Sequence, residues 1–202
     1  MVISGDIIVN GAGRVANINN LDLEKGNIKF TSNGIMVNEF LQSITNPDVY
    51  AAGDVVASTI PHVTPKASFD GKTISTNLLN GNSVKALYND IPRVLFTIPC
   101  LASVGMNEID LKQSSINFRT NFQNTSKWYS SRRNGESCSG FKILIENQTE
   151  RILGAHLIGP HAEEVINIFS IAIKLGITTS EIKNSTLYGY PTSSSDIPYM
   201  LS

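Results

Sequence analysis

The chain has no apolar run near the roughly 18 residues needed to span a bilayer, and its opening, Met1 to Asp6, lacks the basic start and apolar core of a signal peptide. A cytoplasmic location is the expectation. Basic clusters are just as scarce: none exceeds the Arg132-Arg133 pair and the formal net charge is −1, so neither a nucleic-acid nor an anionic-membrane footprint is indicated. There are two cysteines, Cys100 and Cys138, too far apart for a close-spaced redox pair or a metal knuckle, and they read as buried or semi-buried thiols. No metal site is expected. The three histidines, His62, His156 and His161, read as surface or satisfied core residues. Sequons at Asn124, Asn147 and Asn184 read as by-products of an Asn-rich composition. What is there is a chain of 202 residues, 41% hydrophobic and 16% charged, long enough for one large or two small globular domains.

The most informative stretch is Val49-Tyr50-Ala51-Ala52-Gly53-Asp54-Val55, which reads as a short apolar strand running into a small-residue turn that presents one carboxylate. Strand ends of open α/β sheets are where such folds take ligands, and Asp54 suits a ligand hydroxyl. The competing reading is plain: Gly-Asp is a common turn. Thr64 reads as an N-cap and Pro65 as the first residue of a helix through Leu79, so a helix start with free N–H groups follows the carboxylate closely.

Upstream, Asp6 to Val9 reads as a short strand, and Gly11-Ala12-Gly13-Arg14-Val15-Ala16 satisfies a G-x-G-x-x-A dinucleotide fingerprint. A true fingerprint must open a helix, whereas Ala16 to Asn20 has a loop composition, so this one is read as a decoy. Gly34 to Asn38 and Gln42 to Thr45 read as strands joined to the central stretch by the Asn46-Pro47-Asp48 turn. Gly81-Asn82 stops the helix, Ser83 to Asp90 reads as a linker, and a boundary is placed near residue 90. Beyond it, Pro92 to Pro99 holds a strand, and Ile116 to Phe122, Gly140 to Glu146 and Ile152 to Ile158 predict three more, the last two joined at Asn147 to Glu150 as a hairpin. His161 to Leu175 is the best helix in the chain, acidic at its start, with Lys174 and Gly176 at its end. Ala162, Val165, Ile166, Phe169 and Ile173 form one apolar stripe, and Ile168, Ile171, Ala172 and Leu175 another. A helix apolar on both sides needs two partners: its own sheet and a second subunit.

On Ala52-Gly53-Asp54 and Thr64-Pro65 the chain resembles the flavin-dependent pyridine nucleotide-disulfide oxidoreductases, the group of glutathione reductase, dihydrolipoamide dehydrogenase and mercuric reductase. The likeness extends to Asp6, Gly13, Arg14 and Asn17, to Val94 to Pro99 with Ala102 to Glu108, and to Gly189 to Asp196. It implies α/β plus α+β architecture: residues 1–90 as the end of an NAD(P) domain and the C-terminal part of an FAD-binding, Rossmann-like domain, and 91–202 as an interface, or dimerisation, domain of antiparallel sheet plus helices. By resemblance Gly53, Asp54 and Thr64 bind cofactor. Asp54 would meet the ribityl chain of FAD, and the backbone at Thr64 the pyrimidine edge of its ring. NAD(P)H is expected for the complete enzyme, and a homodimer through the C-terminal domain.

The resemblance also shows what differs. Tyr190 and Ser195 occupy the family's catalytic His and Glu positions, and the family-type His-Pro step is Tyr190-Pro191, expected to be cis. A phenol of ordinary pKa near 10 cannot shuttle protons at neutral pH as imidazole does. No N-terminal FAD fingerprint and no redox-cysteine pair are present. No catalytic residue is therefore assigned, the chain alone is expected to be inactive, and FAD is expected to bind it weakly or not at all. Three readings stay open: a split half that works with an N-terminal polypeptide, a degenerate flavoprotein reducing a non-disulfide acceptor, and a non-catalytic dimerisation module.

Overall fold

The computed structural model describes residues 4–88 and 91–202, which cluster into two compact units, residues 1–87 and 88–202. The boundary expected near residue 90 and the first three residues of the opening read for a signal peptide lie partly or wholly outside the described residues.

Unit 1 holds little regular sheet. Strands β1 (Phe30–Thr31) and β2 (Gly34–Ile35) form a two-residue hairpin. The expected strands at 34–38 and 42–45 reduce to β2 and single bridges, Val37 to Ser43 and Ile35 to Val56, and the expected strand and turn at 49–55 to the Gln42 to Tyr50 bridge followed by a 3-10 turn at Gly53–Val55. The expected strand Asp6 to Val9 is extended chain without a sheet partner among the described residues, and Ile7, Ile8 and Val9 are 82–95% exposed. No helix follows Gly11-Ala12-Gly13, in keeping with a decoy fingerprint. A small core of Ile18, Leu23, Ile35, Ala51 and Val56 adjoins a one-turn 3-10 segment, Gly53–Val55, which in turn packs on helix α1 (Thr64–Asn80). The helix begins one residue earlier than expected: Val63 is its N-cap, so Thr64 is the first helical residue and Pro65 the second. Proline fits there because its missing N–H falls among donors that have no intrahelical partner anyway.

Unit 2 is a five-stranded antiparallel sheet in the order β3-β4-β7-β6-β5: β3 (Arg93–Leu95), β4 (Leu101–Gly105), β5 (Phe118–Asn124), β6 (Gly140–Glu146) and β7 (Ile152–Ile158). The β6-β7 hairpin falls on the residues expected for it. Helices α2 (Glu108–Gln113), α3 (Tyr129–Arg133) and α5 (Thr179–Ser185) and the short C-terminal α6 (Ile197–Met200) surround it. Helix α4 (Ala162–Leu175) packs on β4 and β7 and supplies the centre of the core, with Val165, Ile166, Phe169 and Ala172 meeting Ala102, Val104, Ala155 and Leu157. Ala172, expected on the far stripe, is buried with the core, while Ile171 and Leu175 stay exposed. Gly105 and Gly154 are required where β4 meets β7, since a Cβ on Gly154 would strike the Met106 carbonyl. Cys100 is half-buried and Cys138 exposed, so the second thiol departs from the buried reading.

Candidate functional site

Unit 1 presents Asp54 from a turn that its neighbours fix closely. Gly53 sits at φ 71°, where a side chain is strained, and a Cβ there would lie 3.1 Å from the Cβ of Ala67 on α1. The glycine is thus explained by the close approach of the turn to the helix. On the other side, Ala57 N–H donates to the Ile35 carbonyl at 2.9 Å, and Gly34, at φ 127°, abuts the Val55 carbonyl. Between these contacts the Asp54 carboxylate stands half-exposed.

Two side chains face it. Arg14 donates from Nη1 to Asp54 Oδ2 at 2.8 Å and from Nη2 to the His62 carbonyl at 2.6 Å. His62 Nδ1 lies 3.7 Å from Asp54 Oδ1, and that nitrogen is buried without a hydrogen-bond partner. Arg14 therefore ties its own stretch and the His62 backbone to the Asp54 turn, a job that its place in the glycine-rich stretch did not suggest. Close by in sequence, α1 starts without a side-chain cap; the N–H groups of Lys66 and Ala67 both return to the Val63 carbonyl. Its open, positive end favours an acceptor or a partial negative charge. A carboxylate with spare acceptor capacity and an uncapped helix start can bind a ligand that carries hydroxyl donors and an acceptor edge. No group of three or more His, Cys, Asp or Glu residues able to hold a metal occurs among the described residues.

The C-terminal loop of unit 2 is organised differently. The Tyr190-Pro191 bond is cis. Tyr190 is exposed and stacks on Tyr129, with ring centroids 6.3 Å apart and planes 23° from parallel, while Arg133 donates to the Pro191 carbonyl at 2.9 Å. Ser195 donates to the Thr192 carbonyl at 2.6 Å and completes a capping box with that residue. Asp196 accepts from Ser130 Oγ at 2.5 Å, and burial pushes its carboxyl above the usual carboxylate range despite that bond. Both side chains are thereby committed to the local fold. A cavity of about 300 Å³ adjoins the loop, lined by Arg133, His161, Glu164, Thr192 and Ser193. Cys100 shares a surface hollow with His161 and Glu163, where burial, and then the Glu163 carboxylate, push its thiol up; it is not poised as a nucleophile.

Sequence reasoning missed the inner partners of the Asp54 turn. Gly53 N–H donates to Asp70 Oδ2 at 2.9 Å, and Lys66 Nζ donates to the same oxygen at 2.7 Å. The i, i+4 spacing of Lys66 and Asp70 was the available signal.

A two-layer unit of antiparallel sheet and helices following an Ala-Gly-Asp turn and helix start defines a flavoprotein-reductase type of fold. The chain belongs to the pyridine nucleotide-disulphide oxidoreductases: the model of their dimerisation domain matches residues 91–201, and a second model of the same oxidoreductases matches residues 1–71. It is 46% identical over 181 residues to an uncharacterized 19.7 kDa protein in the mercuric resistance operon of Staphylococcus aureus, covering 90% of this chain and 100% of that protein. Mercuric reductase of Staphylococcus aureus is 29% identical over 185 residues, 91% of this chain and 33% of the reductase. Mitochondrial dihydrolipoyl dehydrogenase of Sus scrofa is 34% identical over 192 residues, 95% of this chain and 37% of the enzyme. The chain thus spans about a third of the length of these curated reductases. Among solved structures, LpdA from Mycobacterium tuberculosis superposes with a TM-score of 0.82 at 23% identity, over 93% of this chain and 40% of its own. The HOCl-induced flavoprotein disulfide reductase RclA from Escherichia coli gives 0.82 at 22%, over 95% and 43%. These two likenesses speak for the fold.

Proposed function

We propose that this chain is a cytoplasmic split half of an FAD-dependent pyridine nucleotide-disulfide oxidoreductase, which self-associates through residues 91–202 and contributes Gly53, Asp54 and the Thr64 backbone to an FAD site. The observation that carries the reading is the pairing of a half-exposed Asp54 carboxylate with an uncapped start of α1. The donor set fits part of FAD and not all of it: Asp54 would accept from a ribityl hydroxyl, and the helix start would face an acceptor edge of the ring. Bound flavin would supply two-electron chemistry between NAD(P)H and an acceptor. This chain's own contribution is to hold and orient it. Ile7, Ile8 and Val9, exposed together, supply an apolar edge for an N-terminal polypeptide to cover.

The committed side chains of the C-terminal loop favour a second reading, a non-catalytic dimerisation module, since Ser195 caps its own turn and Tyr190 rests on Tyr129. A flavin titration of the full chain, followed by fluorescence, with and without an N-terminal polypeptide carrying the dinucleotide fingerprint and redox cysteines, separates the two. The split half predicts no saturation of the chain alone at micromolar FAD and tight, stoichiometric binding by the mixture. Sub-micromolar binding by the chain alone would show that the cofactor site has been assigned to the wrong half, and no binding by the mixture leaves the dimerisation module standing.

A further inference from the structure

Helix α1 turns a polar stripe inward. Lys66, Asp70, Thr73 and Asn77 recur on one face and are at most 3% exposed, while Leu78 and Leu79 face solvent. Buried polar groups are tolerated only where they find partners. Asn77 donates to the Phe40 and Val84 carbonyls and accepts from the Ser83 and Val84 N–H groups, which ties the far end of the helix to the chain around it. At the near end, Lys66 and Asp70 form an ion pair buried to 1% and 0% exposure, and Asp70 Oδ2 also takes the Gly53 N–H. An apolar pair of similar volume often serves a fold as well as a buried ion pair, or better. What no apolar pair can do is accept the N–H of Gly53.

We propose that Lys66 and Asp70 are positioning residues for the Asp54 turn. Lys66 holds the Asp70 carboxylate in place; Asp70 holds the Gly53 N–H; and that bond keeps Gly53–Val55 in the one-turn 3-10 conformation that presents the Asp54 carboxylate beside the start of α1. The ligand's identity rests on the flavin reading above, whereas the latch stands on its own geometry. Neither residue reaches outward, since both are sealed beneath the turn they steer.

The test uses the full ¹⁵N-labelled chain and two variants that remove the acceptor together with its ion pair: Lys66→Met/Asp70→Leu and, with a smaller side chain beneath the turn, Lys66→Met/Asp70→Ala. Amide hydrogen exchange is followed at Gly53, with the Ala57 amide, bonded to Ile35, as internal control. FAD is then titrated to millimolar concentration while the Asp54 amide shift is recorded. The expected result is at least a tenfold faster exchange at Gly53 in both variants, with Ala57 and the helical circular dichroism unchanged, and a smaller FAD-induced shift at Asp54. Unchanged Gly53 exchange in a folded variant overturns the latch; should Lys66→Met/Asp70→Leu not fold, Lys66→Met/Asp70→Ala decides alone. Failure of the flavin reading looks different: FAD leaves Asp54 unmoved in the unaltered chain, while Gly53 still loses its protection in the variants.

Discussion

The exposed side of α4 gives the sharpest prediction about assembly. Ile171 is 56% and Leu175 70% exposed, one turn apart on a helix whose opposite face is sealed in the core. Fully burying an aliphatic side chain is worth about 1.5–3 kcal/mol, so scaling by the exposed fraction leaves about 1–2 kcal/mol per residue for an interface to recover. In a two-fold symmetric dimer each residue counts twice, which makes about 4–8 kcal/mol for the pair. Truncation of both to alanine should then raise the dimer dissociation constant by about 10³- to 10⁶-fold at roughly 1.4 kcal/mol per decade. Analytical ultracentrifugation of the full chain and of Ile171→Ala/Leu175→Ala, across nanomolar to hundred-micromolar concentration, measures this directly. The unaltered chain should be dimeric at micromolar concentration and the variant monomeric, with equal melting midpoints at low concentration. A dissociation constant that does not move in a folded variant refutes the assignment of this face, and an unaltered chain that stays monomeric refutes self-association itself.

Gly34→Ala should lower the stability of unit 1 by about 1–3 kcal/mol, because the residue sits at φ 127° and its Cβ would meet the Val55 carbonyl; denaturant unfolding checks it, and an unchanged midpoint would contradict the packing described. Glu150 accepts two hydrogen bonds from Arg119, at 2.7 and 2.5 Å, and a third from Thr179; these, the guanidinium first, hold its carboxyl down at about 2. A depressed carboxyl stabilises the fold above its unfolded value near 4.5 and loses that contribution as pH falls toward about 2, so Glu150→Gln should flatten the melting profile in that window, with its loss of stability fully expressed at pH 7 and vanishing toward pH 2. The effect will be small, since both side chains are more than two-fifths exposed and screened by solvent. Tyr190→His/Ser195→Glu, complemented with an N-terminal polypeptide carrying the redox cysteines, should show more NAD(P)H-dependent disulfide reduction than the unaltered chain so complemented, because an imidazole needs its orienting carboxylate to fix the tautomer. Equal activities in the two would count against a lost acid-base pair.

What was legible in the sequence was what local pattern decides. The β6-β7 hairpin has strong alternation and a polar turn at Asn147 to Glu150, and α4 carries acidic residues at its start and Gly176 in a left-handed cap at its end. Helix α5 was overlooked although Thr178 and Glu181 form a capping box that the spacing displays. Other misreadings have a non-local cause. Ile7-Ile8-Val9 has strand composition, yet a strand needs an edge to pair with, and β-propensity decides little without one. In Val49 to Val55 the strand half reduces to a single bridge at Tyr50, whereas two small residues and a glycine let the chain tighten into a 3-10 turn against Ala67, where a small-residue turn was expected.

The candidate site divides along the same line. Asp54 was visible because a carboxylate after two alanines and a glycine is a local signature, whereas its supports come from residues 14, 62, 66 and 70, brought in by the fold. A Lys-Asp pair at i, i+4 ordinarily lies on a solvated helix face and contributes a few tenths of a kcal/mol. Here the helix is rolled so that the pair lies inside and leucines lie outside. Such a roll conflicts with hydrophobic patterning, and conflicts of that kind cluster where structure serves function. Leu78 and Leu79 turned to solvent and Lys66 turned inward are two faces of one choice: helix α1 gives up an apolar contact to reach the backbone of the turn that carries Asp54.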